Sequence, residues 1–120
     1  MPYIKEGYRK LIEPMLIYLA SPYTQGDIGA NINRVIDVAD ILLENGHYPY
    51  IPHLCHLWHI VSSKTWEIWL DYDLFILSRC DALLRLDGDS KGADIEVKEA
   101  ERLGKKVYTR IEDLIRDRNE

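Results

Sequence analysis

Two cysteines without paired spacing leave this 120-residue chain no disulfide framework, so a hydrophobic core has to hold it together. Basic residues are also scarce, 15 Lys and Arg against 20 Asp and Glu, for a formal net charge of -5. A sequence-independent nucleic-acid binder needs a phosphate-neutralising surface, so no nucleic-acid polymer is expected as a partner; a small anion could still be held locally. Long apolar runs are missing. The longest, Met15 to Ala20, is far too short to cross a bilayer, and the N-terminus lacks the basic-then-apolar layout of a secretory leader. No membrane partner is therefore expected, and the protein reads as cytoplasmic, with Cys55 and Cys80 as two buried thiols in a reducing compartment. Internal repeats and low-complexity stretches are absent too, which excludes a solenoid.

What is present suits one folded domain over residues 1–120: 47% of the chain is hydrophobic and 29% charged, a balance that separates it from disordered sequences. At this size, association with further copies would help complete a pocket.

The pattern along the chain alternates. Residues 3–12 read as an amphipathic lead-in with Tyr8, Leu11 and Ile12 on one side, ended by Pro14. Met15–Ala20 reads as a buried strand that Ser21-Pro22 breaks. Residues 31–45 carry a wide apolar helical face closed by Gly46, and 48–51 form a short strand for which Pro49 and Pro52 suggest an edge or an abrupt end. Residues 53–64 read as irregular. A helix over 65–79, a strand over 82–86, a helix over 94–103 stopped by Gly104, a strand over 106–108 and a terminal helix from about Ile111 follow. Strands separated by helices predict an α/β fold in three layers, with a mostly parallel sheet of four to five strands covered on both faces. The terminal helix has only Ile111, Leu114 and Ile115 as an apolar face, for the sheet edge or for a second subunit.

In such sheets ligands bind beyond the carboxyl ends of the strands. Three loops converge there: Ser21–Asp27, the segment around His53, and Asp87–Gly92. The last runs from a strand through Ser90-Lys-Gly-Ala-Asp-Ile-Glu96 into a helix, where loop N–H groups favour an anion and Glu96 would sit at the rim. It lacks the lysine-serine ending of a P-loop and the three spaced glycines of a dinucleotide fold. Asp87, Asp89 and Gly92 match the first, third and sixth positions of a calcium loop, but Lys91 and Lys98 stand where two ligands must be. His53, His56 and His59 have spacing that can share a helical face, yet each also serves as an ordinary polar residue. No metal and no cofactor are expected, and His53, directly after a strand, is the best site residue of the three.

Tyr18-Leu-Ala-Ser-Pro-Tyr23, Pro52-His53, Tyr72-Asp-Leu74, Cys80-Asp81-Ala-Leu-Leu, and Ser90-x-Gly-x-x-x-Glu96 followed by Ala100 and Gly104, occur in one order. Over roughly residues 15–108 this resembles the nucleoside 2-deoxyribosyltransferase superfamily, which includes the 2'-deoxynucleoside 5'-monophosphate N-glycosidases. The resemblance implies a flavodoxin-like or Rossmann-like sheet, a homodimer or higher homo-oligomer, and cleavage between base and deoxyribose through a glutamate nucleophile. It puts that role on Glu96 and assistance to the departing base on Asp73. With the converging loops, it nominates Tyr18, Ser21, Tyr23, His53, Asp87, Ser90 and Gly92 for binding a small nucleoside or nucleotide.

The chemistry needs such a pair. Breaking an N-glycosidic bond develops oxocarbenium character at C1', which one carboxylate stabilises and captures while a second acid assists the base. Asp73 shares a helical stripe with Trp66, Trp69, Leu70 and Leu77, so burial should raise its pKa. The plainer readings are a loop-capping or exposed Asp73 and a Glu96 placed in a first helical turn for dipole reasons. The three tryptophans, Trp58, Trp66 and Trp69, suit a core or a dimer seam better than a base-stacking platform.

Ser90 bears on the substrate. Where base-exchanging transferases of the superfamily have an aspartate, the monophosphate hydrolases have a serine that helps bind the 5'-phosphate, and Ser21 matches another phosphate-contacting position. Two departures stand against this. Asp94 replaces a frequent second glycine, either adding charge near the site or capping the helix, and the first loop lacks an arginine, leaving Arg34, Lys91 and Arg85 as candidate cations. Hydrolysis of a deoxynucleoside 5'-monophosphate or related nucleoside is the leading expectation. Base exchange and a non-catalytic nucleotide-binding module, which would need neither carboxylate, are the alternatives.

Overall fold

The computed structural model describes residues 13–119, so the expected lead-in over 3–12 lies outside the described residues. The elements are β1 (Leu16–Ala20), α1 (Ile28–Glu44), β2 (Tyr48–Tyr50), a 3₁₀ turn (Pro52–Cys55), α2 (His56–Val61), α3 (Trp66–Arg79), β3 (Ala82–Arg85), α4 (Lys91–Arg102), β4 (Lys106–Tyr108) and α5 (Ile111–Asn119). The strands form one sheet in the order β2-β1-β3-β4, every pair parallel, with β2 at an edge, one of the two readings that Pro49 and Pro52 allow.

Side-chain alternation along the strands builds two cores. Ile17, Leu19, Ala82 and Leu84 face Val35, Ala39 and Leu42 of α1 and Leu114 of α5. Tyr18, Ala20 and Leu83 face Leu77 of α3 and Ala93 and Ala100 of α4. The fold is thus a three-layer α/β sandwich. Leu114 is fully buried, with Ile111 and Ile115 packed beside it, so α5 spends its apolar face on its own sheet. Asp81 anchors the start of β1, its carboxylate accepting from Leu16 N at 2.8 Å.

Several boundaries move for local reasons. Helix α1 begins at Ile28 because Asp27 caps it, accepting from Ala30 N. Helix α4 begins at Lys91 because Ser90 caps it, accepting from Ala93 N. Asp94 is therefore not the cap; it pairs with Arg85 at 3.1 Å on the surface. Glu96 accordingly falls in the second turn of α4, which removes the dipole explanation for it. Residues 53–64 are not irregular throughout, since they carry most of the 3₁₀ turn and all of α2. Of the two cysteines, Cys80 is buried but Cys55 is only half-buried.

The loops after β1 and β3 touch closely. Gly88 has φ +118°, and a Cβ there would lie 2.8 Å from Pro22 Cγ, so only glycine lets the two loops meet.

Candidate active site

The chain runs from β1 outward to β2 and then crosses back to β3, so the connections leaving β1 and β3 diverge at the carboxyl edge of the sheet. A crevice at that switch point is the expected place for a ligand. A cavity of about 520 Å³ opens there, walled by the loop after β1, the 3₁₀ turn, α2, α3 and the start of α4.

Two carboxylates look into it, Asp73 from α3 and Glu96 from α4. Glu96 is 9% exposed, so it sits in the wall rather than at the rim. Tyr18, fully buried beneath, donates its hydroxyl proton to Glu96 Oε2. Burial pushes the Glu96 carboxyl up to about 8; the Tyr18 bond and the Arg85 charge pull it down, and the Asp73 charge pushes it up. Burial also lifts Asp73, to about 6, against a lowering hydrogen bond from Tyr50, whose hydroxyl donates to Oδ1 at 3.2 Å. The predicted rise at Asp73 is thus found, and for the predicted cause.

The remaining nominated residues divide. Ser21, Tyr23, His53, Ser90 and Gly92 line the same cavity. Tyr23 stands edge-on to His53 and His56, with ring centroids 5.0 and 5.4 Å away. His53 is buried with Nε2 2.9 Å from Pro22 O, and burial pushes its pKa down, which favours the neutral ring. Ser90 accepts from Ala93 N, leaving its own proton free to donate, and Gly92 has open space where a Cβ would be. Tyr18 does not line the cavity; it lies behind the wall, hydrogen-bonded to Glu96. Asp87 is not brought to this cavity; it lines a separate one of about 260 Å³ with Arg34 and Arg85, because its loop turns toward the α1 face. Of the three candidate cations only Lys91 reaches the carboxylates' cavity.

His59 turns its Nδ1 to Trp69 Nε1 at 2.8 Å, and among the described residues no three His, Cys, Asp or Glu side chains gather as a metal set. Trp66 and Trp69 line the cavity, and Trp66 is 59% exposed, so these tryptophans are not core. Sequence reasoning missed Tyr50 and Cys55. The signal for Tyr50 is register: it pairs with Tyr18 across parallel strands, so both project onto the face that α3 and α4 cover.

This arrangement, a buried and a half-buried carboxylate in an α/β switch-point cavity, is one that can hold a polar ligand and move a proton across it. The family model described as Domain of unknown function (DUF7768) matches residues 15–110, and the chain belongs to that family. A solved 2-deoxyribosyltransferase from the psychrotolerant bacterium Bacillus psychrosaccharolyticus, described as a biocatalyst for the synthesis of antiviral and antitumoral nucleosides, is similar in fold, with a TM-score of 0.63 and 26% identity. The match covers 77% of this chain and 69% of that one. No curated protein matches the chain.

Proposed function

We propose that the protein hydrolyses the N-glycosidic bond of a deoxynucleoside 5'-monophosphate or related nucleoside, with Glu96 as nucleophile and Asp73 as acid. The observation that carries this reading is the pair of carboxylates in one cavity, Glu96 buried and Asp73 half-buried, each accepting from a tyrosine hydroxyl. Ionised Glu96 bonds to C1' as the C1'–N bond breaks, and the departing electron pair takes a proton from Asp73. Water then attacks C1', Asp73 recovers a proton from it, and Glu96 leaves as carboxylate. The free donor of Ser90, the charge of Lys91 and the first-turn amides of α4 support a phosphate on the substrate. The similar transferase favours a second reading, base exchange, in which another base replaces water.

The test is chromatographic detection of free base from deoxynucleoside 5'-monophosphates, nucleosides and ribonucleotides, with and without an added acceptor base. Release without acceptor supports hydrolysis; release only with acceptor supports exchange; none from any substrate sinks both. The working form, ionised Glu96 beside protonated Asp73, is the minor one-proton state of the dyad, because the values of about 8 and about 6 put the shared proton mainly on Glu96. Its population still peaks between them, so kcat/KM should be bell-shaped with limbs near about 6 and about 8.

The same reading includes a homo-oligomer. Ile68, Tyr72 and Phe75 of α3 and Trp58 and Val61 of α2 expose a contiguous apolar face beside the cavity, Val61 at 87%. A second copy of the chain is the occupant proposed for it, because Trp66, exposed and at the cavity wall, would be covered in the same step. Ile68→Asp with Phe75→Asp should halve the mass measured by light scattering; a wild-type monomer at micromolar concentration would refute this.

A further inference from the structure

Tyr50 is the one ionisable side chain that touches the carboxylate dyad from the edge strand, and none of the roles above uses it. Its hydroxyl lies 3.2 Å from Asp73 Oδ1 and 3.6 Å from Cys55 Sγ, and its ring packs on Tyr18 with centroids 5.4 Å apart. A hydroxyl has one proton to give. With that proton on Asp73, the Cys55 thiol becomes the donor to Tyr50, and a directed chain runs from Cys55 through Tyr50 to Asp73.

We infer that Tyr50 is a positioning residue: by donating to Oδ1 it fixes the Asp73 carboxyl in the cavity wall and leaves Oδ2 to carry the proton that passes to the leaving base. Oδ2 has no hydrogen-bond partner among the described residues, and Asp73 lines the cavity, so this oxygen is the one open to a ligand. The bond also stabilises the carboxylate left behind, which makes Asp73 a stronger acid than burial alone would allow. The geometry is rigid because Tyr18 and Tyr50 are register partners on adjacent strands, each holding one carboxylate from a different helix. Other groups around the pair are Glu96 and, through it, Arg85 from β3, with Tyr72 of α3 near Tyr50 and Cys55 from the 3₁₀ turn. Loss of the Tyr50 hydroxyl changes none of them covalently.

This inference rests on the glycosidase reading for its catalytic meaning, yet its structural content can be measured apart from activity. Following the carboxyl carbon of Asp73 by NMR against pH in wild type, Tyr50→Phe and Cys55→Ala separates the two. The Tyr50→Phe midpoint should rise by about one unit, kcat should fall roughly tenfold with KM little changed, and Cys55→Ala should leave the midpoint within about 0.3 units. An unmoved midpoint in Tyr50→Phe overturns the inference whatever the wild type does with nucleotides. A shifted midpoint in a protein that releases no base upholds the Tyr50–Asp73 link and overturns the glycosidase reading instead.

Discussion

Glu96→Gln should abolish base release, by about 10³-fold or more, while making the protein more stable in mild alkali. The activity loss follows from the chemistry: an amide cannot form the covalent ester to C1', yet its carbonyl oxygen can still accept from the Tyr18 hydroxyl, so the wall stays intact. The stability gain follows from linkage. Glu96 titrates near 8 in the folded protein against an ordinary value of 4.5, so between those limits the folded state binds the extra proton. Stability from this group is therefore full below about 4.5 and is lost as pH rises through about 8. At pH 9 the wild type carries a buried charge that the amide avoids, a difference on the order of 2–4 kcal/mol that should vanish toward pH 5. Thermal melts of both proteins at pH 5 and 9, run beside the base-release assay, check both halves. Equal gains at both pH values would show that Glu96 ionises normally, and retained release would remove it as nucleophile.

Asp73→Asn should slow release of natural bases by about 10²–10³-fold, because the leaving nitrogen then departs without a proton. The loss should shrink to less than about tenfold for a deoxyriboside whose leaving group is stable as an anion. Removing the Asp73 charge also lets Glu96 ionise more readily, so the residual rate should lose its falling limb and rise with pH to a plateau through a midpoint below about 8. Equal losses for good and poor leaving groups would show that Asp73 holds the substrate rather than protonating it.

The alternation of buried strands and amphipathic helices made the sheet, its parallel pairing and both covering layers legible in the sequence. Asp73 and Glu96 were legible as candidates through the order of short motifs, and Ser21, Tyr23, His53, Ser90 and Gly92 through the rule that loops at carboxyl ends converge. The rest depended on three-dimensional facts. Helix α2 is six residues long, too short for periodicity to declare it, and Trp58 packs edge-on to Trp69 and Tyr72 of α3. Asp87 shares a loop with Ser90, but which side of the sheet each faces depends on the turn at Gly88. Tyr50 is one tyrosine among eight until strand register places it beside Tyr18.

The contact between Gly88 and Pro22 also restricts how this scaffold can diversify. Two of the three loops around the cavity abut, so an insertion in either would push against the other and disturb the carboxylates' wall. The segment from Pro52 to Thr65 is tied to the β1 loop only at its start, where His53 and His56 meet Pro22 and Tyr23; its later part carries Leu57, Ile60 and Val61 outward, and it supplies the cavity with Cys55, His56 and His59. Related chains that accept larger or smaller ligands should therefore differ in the length and composition of that segment, while the β1 and β3 loops keep their size.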